Sequence, residues 1–185
     1  PRQVSAARRM QIDAAPRRNL ELTRRLTGTR SGSLLDSLDR TVTAGGARLL
    51  ERRISGPAID AETIQRRHDA VEFFVSDTRI RDEIRTSLRQ CPDIERALSR
   101  LALDRGGPRD LAAVRDGLAQ VGEIATRLQT EDLPPLVKET QSDCLGHEDM
   151  RDMLDAALVA EPPVQTRDGG FVAPGHNADL DAART

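Results

Sequence analysis

Asp77–Leu101 reads DTRIRDEIRTSLRQCPDIERALSRL, and its spacing decides the fold class. Ile80, Ile84 and Leu88 recur at four-residue steps, the step of one helical turn. Asp77 stands where a side chain caps the first turn. Pro92 suits the first turn of a second helix, which carries Ile94, Ala97, Leu98 and Leu101. Gly106-Gly107 break that helix and Pro108 opens the next, with Leu111, Val114, Leu118 and Val121 on one face.

Working back from Asp77, the same pattern repeats. Asp60 is an N-cap, with Glu62 in the first turn, and Ile64, His68, Val71, Phe74 and Val75 keep helical spacing. His68 falls on that apolar face and reads as a hydrogen-bonded core histidine. The preceding helix runs from Ala44 through Leu49, Leu50 and Ile54 to Gly56-Pro57, with Thr43 as its cap. Ser33 caps a shorter one, with Asp36 in capping-box spacing and Leu34, Leu35 and Leu38 as the apolar set. Met10 and Ile12 suggest a short strand and turn ahead of an irregular or helical piece. Residues 1–9 read as a linker. Forward of Leu133-Pro134-Pro135, His147 to Ala160 makes a last complete helix around Met150, Leu154, Ala157 and Leu158.

About seven helices with short connections predict an all-α multihelical bundle. Composition agrees. The 185 residues include no Trp or Tyr, and Phe73, Phe74 and Phe171 are the only aromatics. Strands favour aromatic and β-branched residues. The tail differs. Val164–Thr166 and Phe171–Ala173 flank Asp168-Gly169-Gly170 and predict a short β-hairpin-like segment near the C-terminus. Asn177 to Asp181 then looks like the first turns of a helix. It reaches Thr185 without a stop signal, so the chain reads as cut within that helix.

The formal net charge of -2 gives no global basic footprint for nucleic acid. Lys138 is the only lysine. The arginine pairs at 8–9, 17–18, 24–25, 52–53 and 66–67 each lie near acids and read as solvated helix faces rather than a DNA stripe. Cys91 and Cys144 lack metal-ligand spacing and fit a reducing cytosol. No apolar run approaches the ~20 residues a membrane helix needs.

No catalytic, cofactor-binding or metal site emerges. DGGFVAPG does not follow the spacing of a phosphate loop, and Gly169-Gly170 need only a turn. His176, Asp179 and Asp181 supply too few converging ligands, and His147, Glu148 and Asp149 are adjacent on a helix and cannot converge. Cys91 and Cys144 have no base placed for them by sequence. The residues therefore reach a soluble helical domain without an autonomous active site. A stand-alone helical protein-interaction module is the reading from another class.

Four stretches in order resemble one family. MQIDAAPRRNLEL resembles the opening of the core domain of the DNA mismatch repair protein MutS. SLLDSLDRTVTAGGARLLERRISGPAID resembles that family's next signature. DIERALSRLALDRGGPRDLAAVRDGL resembles its D-[LI]-E-R and P-R-D-L stretch, and RDGGFVAPGHNADLD its R-[DE]-G-G…E-L-D stretch. Departures are Pro16 for Thr, Gly45 for Met, Arg53 for Trp, Ala58 for Leu and His176 for Tyr. Ala178-Asp179 stand where the family has x-Glu.

The resemblance implies a connector linker at residues 1–9 and a partial core or lever domain at 10–185, ending at the start of a long lever helix. It implies a parent that binds ATP and magnesium and holds mismatched duplex DNA. That parent would work as a homodimer with a MutL-like partner, in the bacterial cytoplasm at the nucleoid and at no membrane. The mismatch-binding, clamp and ATPase domains would lie outside this stretch. Structural or transmitting roles would fall to Arg48, Pro57, Arg100, Pro108, Arg109, Asp110, Gly169, Gly170 and Asn177.

Overall fold

A computed structural model describes residues 9–130 and 132–184. The linker expected at 1–9 lies, apart from Arg9, outside the described residues. The elements are α1 (Ala14–Asn19), α2 (Leu34–Leu38), α3 (Ala44–Ser55), α4 (Ala61–Ser76), α5 (Thr78–Gln90), α6 (Ile94–Ala102), α7 (Pro108–Arg127), α8 (Pro135–Asp143), α9 (Glu148–Ala157) and α10 (Ala178–Arg184). The fold is an all-α multihelical bundle, and no sheet occurs among the described residues.

The chain divides into two compact units. The first holds the described residues up to Arg81 together with Asp132–Lys138. Helices α2 to α5 begin where side chains take up free N–H groups. Ser33 Oγ accepts the Asp36 N–H at 3.2 Å, Thr43 Oγ1 that of Gly46 at 3.0 Å, and Asp60 that of Thr63 at 2.9 Å. Asp77 accepts from the N–H of Ile80 at 2.9 Å. Each such cap is worth about 1 kcal/mol. The expected strand at Met10–Ile12 shrinks to one antiparallel bridge, Arg9 with Ala58, beside a bond from Met10 N–H to the Pro57 carbonyl at 2.8 Å. The chain then turns directly into α1, so no ladder can extend. The apolar spacing of α4 is only partly used: Val71 is 60% and Val75 62% exposed. His68 is exposed as well, not a core histidine.

The second unit runs from Asp82 to residue 130 and from Glu139 to residue 184. Its axis is α7, about 30 Å long at 1.5 Å per residue. Helices α6 and α9 pack against it. The core there is Ala97, Val114, Leu154 and Leu158, with Ile94, Leu101, Leu111, Leu118 and Phe171 around it. Asp93 takes the α6 cap position, accepting the Arg96 N–H at 3.3 Å, so Pro92 precedes the cap instead of entering the first turn.

Helix α8 is absent from the pattern reading because PLVKETQSD has no clear apolar period. Part of what holds it is tertiary. The Gln141 amide donates to the carbonyls of Ala125 at 3.1 Å and Leu128 at 3.0 Å, satisfying the last turn of α7.

Close approach of α6 to α7 rests on one glycine. A Cβ on Gly117 would lie 2.3 Å from Ile94 Cγ1 and 2.4 Å from its Cδ1. Alanine gains helix propensity of about 1 kcal/mol, and overpacking costs about 1–3 kcal/mol. Ile94 is partly buried against the core and its side chain must shift, so Gly117→Ala is expected to lower stability by about 1 kcal/mol net. Gly122 has no atom within 4 Å of the same position. Gly122→Ala is expected to raise stability by about 0.5–1 kcal/mol. Urea unfolding of both variants checks the opposite signs; equal shifts would contradict the packing argument.

Candidate functional site

The sequence after α9 is where the tail departs from its expected form. Leu158 is extended, and the Val159 N–H donates to the Phe171 carbonyl at 3.0 Å while the Ala173 N–H donates to the Ala157 carbonyl at 2.9 Å. This gives one antiparallel bridge, Leu158 with Val172. The expected hairpin between Val164–Thr166 and Phe171–Ala173 does not form. Thr166–Asp168 make a single 3-10 turn, closed by the Asp168 carboxylate on the Gln165 N–H at 3.3 Å. Phe171–Ala173 do run extended in part, but their partner is the end of α9. The reason is Phe171, which joins the core beside Leu158 and sets that register.

Between Leu158 and Val164 the chain crosses over the N-terminal half of α7, and α7 holds it at three points. Arg109 Nε donates to the Pro162 carbonyl at 3.2 Å. Arg115 Nη1 donates to the Val159 carbonyl at 3.2 Å and Nη2 to the Ala160 carbonyl at 3.0 Å. The third point is steric: a Cβ on Gly107 would lie 2.6 Å from the Val164 carbonyl oxygen. Arg115 is only 8% exposed, and its Nε is paired with Asp116 Oδ1 at 2.8 Å. A planar fork spanning two successive carbonyls is a task for guanidinium and not for ammonium.

The same end of α7 is tied to α6. Arg100 Nε donates to both Asp110 oxygens, at 3.2 and 3.1 Å, and Arg100 Nη2 to the Arg105 carbonyl at 3.0 Å. Asp110 also accepts the Gly107 N–H at 2.9 Å. It therefore closes the helix end and anchors α6 with one carboxylate, an acid in the first turn where the helix dipole favours it. Pro108, buried at the first position of α7, has no N–H to leave unsatisfied.

The structure thus gathers Arg100, Pro108, Arg109 and Asp110 at one place. Gly169 and Gly170 lie downstream in the same unit, with φ of +66° and +68° and open space around them. Their role is backbone conformation. Asn177 caps α10, accepting the Leu180 N–H at 3.0 Å, and Arg184 ties α10 back to the Val172 carbonyl at 3.1 Å. Arg48 and Pro57 belong to the first unit. Arg48 is half-buried on α3, and Pro57 receives the Met10 N–H. Arg115 is the residue that motif reading missed. Its signal was periodicity, since it stands one helical turn beyond Leu111, beside Val114 and Leu118 on the apolar stripe.

The chemistry of the remaining groups is quiet. Burial pushes the Cys91 thiol up, and burial, then Asp143 and Cys91, push that of Cys144 up. Both shifts run opposite to an activated nucleophile. Among the described residues no group of three or more His, Cys, Asp and Glu is placed to hold a metal ion. The sequence contains no Gly-Lys pair of a phosphate loop. No helix among the described residues is long and apolar enough to cross a membrane.

Comparison with known proteins fits this geometry. Residues 15–181 match the family described as MutS domain III. The DNA mismatch repair protein MutS of Dinoroseobacter shibae is 58% identical over 175 residues, covering 95% of this chain and 20% of that protein. The protein of the same name from Paracoccus denitrificans is 57% identical over 175 residues, again 95% of this chain and 20% of its own length. That of Ruegeria pomeroyi is 53% identical over 184 residues, which is 100% of this chain and 21% of that protein. The chain spans about a fifth of the length of the curated relatives it matches. Matched over most of its residues and alike to these proteins along its length, the chain belongs to the MutS domain III family.

Proposed function

We propose that this chain is the core segment of a DNA mismatch repair protein and that it couples an ATPase domain to a clamp on mismatched DNA. In this reading α10 is the start of a lever helix, and the junction at the head of α7 passes strain between α6, α9 and that lever. The observation that supports it is the arginine-held junction itself. One helix end is bonded to the preceding helix through Arg100–Asp110 and to the following crossover through Arg109 and Arg115. Coupling over distance needs packed elements with discrete arrangements, and such a junction moves as one piece or breaks. ATP, magnesium, a second copy and a MutL-like protein are partners of the proposed parent, which works at DNA in the bacterial cytoplasm.

The intact mass of the native polypeptide, captured from its source through this segment, tests the reading. It predicts a chain several times larger that carries a Gly-rich phosphate-loop peptide ending in Lys-Ser or Lys-Thr. A mass equal to these residues alone would leave no ATPase domain in the same chain and would contradict it.

A further inference from the structure

Two arginine pairs that stand apart in the sequence meet at one place in the first unit. Arg17, Arg18, Arg24 and Arg25 line an open cavity of about 320 Å³ together with Thr23 and Gly28. The convergence is built, not incidental. Arg17 and Arg18 sit in the last turn of α1. The chain then reverses at Glu21, whose φ is +48°, and whose carboxylate takes the Leu26 N–H at 2.7 Å. The Glu21 and Leu22 carbonyls accept the N–H groups of Leu34 and Leu35 at 3.1 and 2.9 Å, which pins the loop to α2. The Arg25 N–H donates to the Thr29 carbonyl at 2.8 Å and closes the loop's far side. A fixed loop thereby carries Arg24 and Arg25 to the cavity that Arg17 and Arg18 reach from the helix.

The charges there exceed what the protein neutralises. Arg17 spends one nitrogen on the Ile12 carbonyl at 3.1 Å and Arg24 one on the Gly28 carbonyl at 3.2 Å. Glu21 stands 4.0 Å from Arg25 Nε and is already engaged by the Leu26 N–H. No carboxylate among the described residues lines the cavity. Each guanidinium has five donors, so most of the donors remain for an outside acceptor. Four like charges around one concavity repel one another, and a multivalent anion relieves that. Guanidinium forks match phosphate oxygens two at a time.

We propose that this cavity is a phosphate-binding pocket, taking either the backbone phosphates of a nucleic acid or the phosphates of a free nucleotide. The pocket is independent of the junction at α7 and does not rest on the coupling reading.

Phenylglyoxal modification of the native-length polypeptide, mapped by mass spectrometry, tests it. The reagent attacks accessible guanidiniums, so a bound phosphate protects them. Three samples are compared: no addition, a fully paired DNA duplex, and ATP. Slower modification of Arg17, Arg18, Arg24 and Arg25 with duplex alone supports the pocket and makes nucleic acid its source. Slower modification with ATP alone supports it and makes a nucleotide the source. Unchanged modification in both overturns it.

A second measurement uses Arg18→Gln with Arg24→Gln, checked for unchanged circular dichroism. For a nucleic-acid site, the slope of log affinity against log salt for duplex falls by about two. For a nucleotide site, ATP affinity falls by about tenfold at this pocket. An unchanged slope together with unchanged ATP affinity overturns the proposal.

Discussion

Arg115→Ala is expected to cost about 3 kcal/mol of stability. The buried guanidinium gives charged hydrogen bonds to two successive carbonyls, Val159 and Ala160, and is held flat by Asp116. Truncation leaves both acceptors without their donor and a gap beneath the crossover. Hydrogen bonds to charged groups contribute about 1.5–3 kcal/mol each, and part of the loss is recovered by water entering the space that truncation opens. Arg115→Lys keeps the charge but cannot span both carbonyls, so it should recover about half. Urea unfolding followed by far-UV circular dichroism measures this as a fall in midpoint with the slope unchanged. A loss under about 0.5 kcal/mol, the size of an ordinary surface substitution, would show that the crossover does not depend on this residue.

The second large effect is Gly107→Ala, expected to cost about 2 kcal/mol and to loosen the crossover as a unit. Gly107 has φ -134° and ψ -177°, extended backbone that any residue adopts. The penalty is therefore purely steric, from a Cβ placed 2.6 Å from the Val164 carbonyl oxygen. Backbone cannot swing away as a long side chain does. Either α7 or the crossover must shift, and the Arg109 bond to Pro162 goes with it. Amide exchange at Val159 and Ala173, whose N–H groups close the bridge region, should quicken by about tenfold or more. Gly169→Ala is the contrast. It meets nothing within 4 Å but must hold φ +66° with ψ -172°, a region essentially only glycine adopts, costing about 1–3 kcal/mol without disturbing those amides. Unchanged exchange in Gly107→Ala would remove the steric point from the junction.

Helix existence was legible because caps and breakers are local. Ser33, Thr43, Asp60 and Asp77 act on N–H groups three residues away, and such a relation is written in the sequence. The hairpin was misread because strand partners are chosen by tertiary contact. Phe171–Ala173 has the right residues for an extended segment, but Phe171 needs the core, and the core lies beside Leu158. Helix α8 was invisible for the same reason, since Gln141 bonds to carbonyls at the end of α7 that precede it by more than a dozen positions. Arg100, Arg109 and Asp110 were picked out by resemblance to a family motif, and the structure gives each a partner. Arg115 was open to periodicity alone, and no motif singled it out. The convergence of Arg17–Arg18 with Arg24–Arg25 depends on a reversal at Glu21 with positive φ, which no spacing rule announces.

The central claim is that the head of α7 transmits rather than merely stabilises. The measurement that tests it most directly uses the native-length polypeptide carrying Arg109→Ala with Asp110→Ala. ATP-dependent retention on an end-blocked, mismatched duplex is measured beside ATPase turnover at saturating ATP. Coupling free energies of about 1–3 kcal/mol correspond to about 5–150-fold, so retention is predicted to fall about tenfold or more while turnover stays within about twofold. Proportionate losses of retention and turnover would contradict transmission and leave the junction a structural element only.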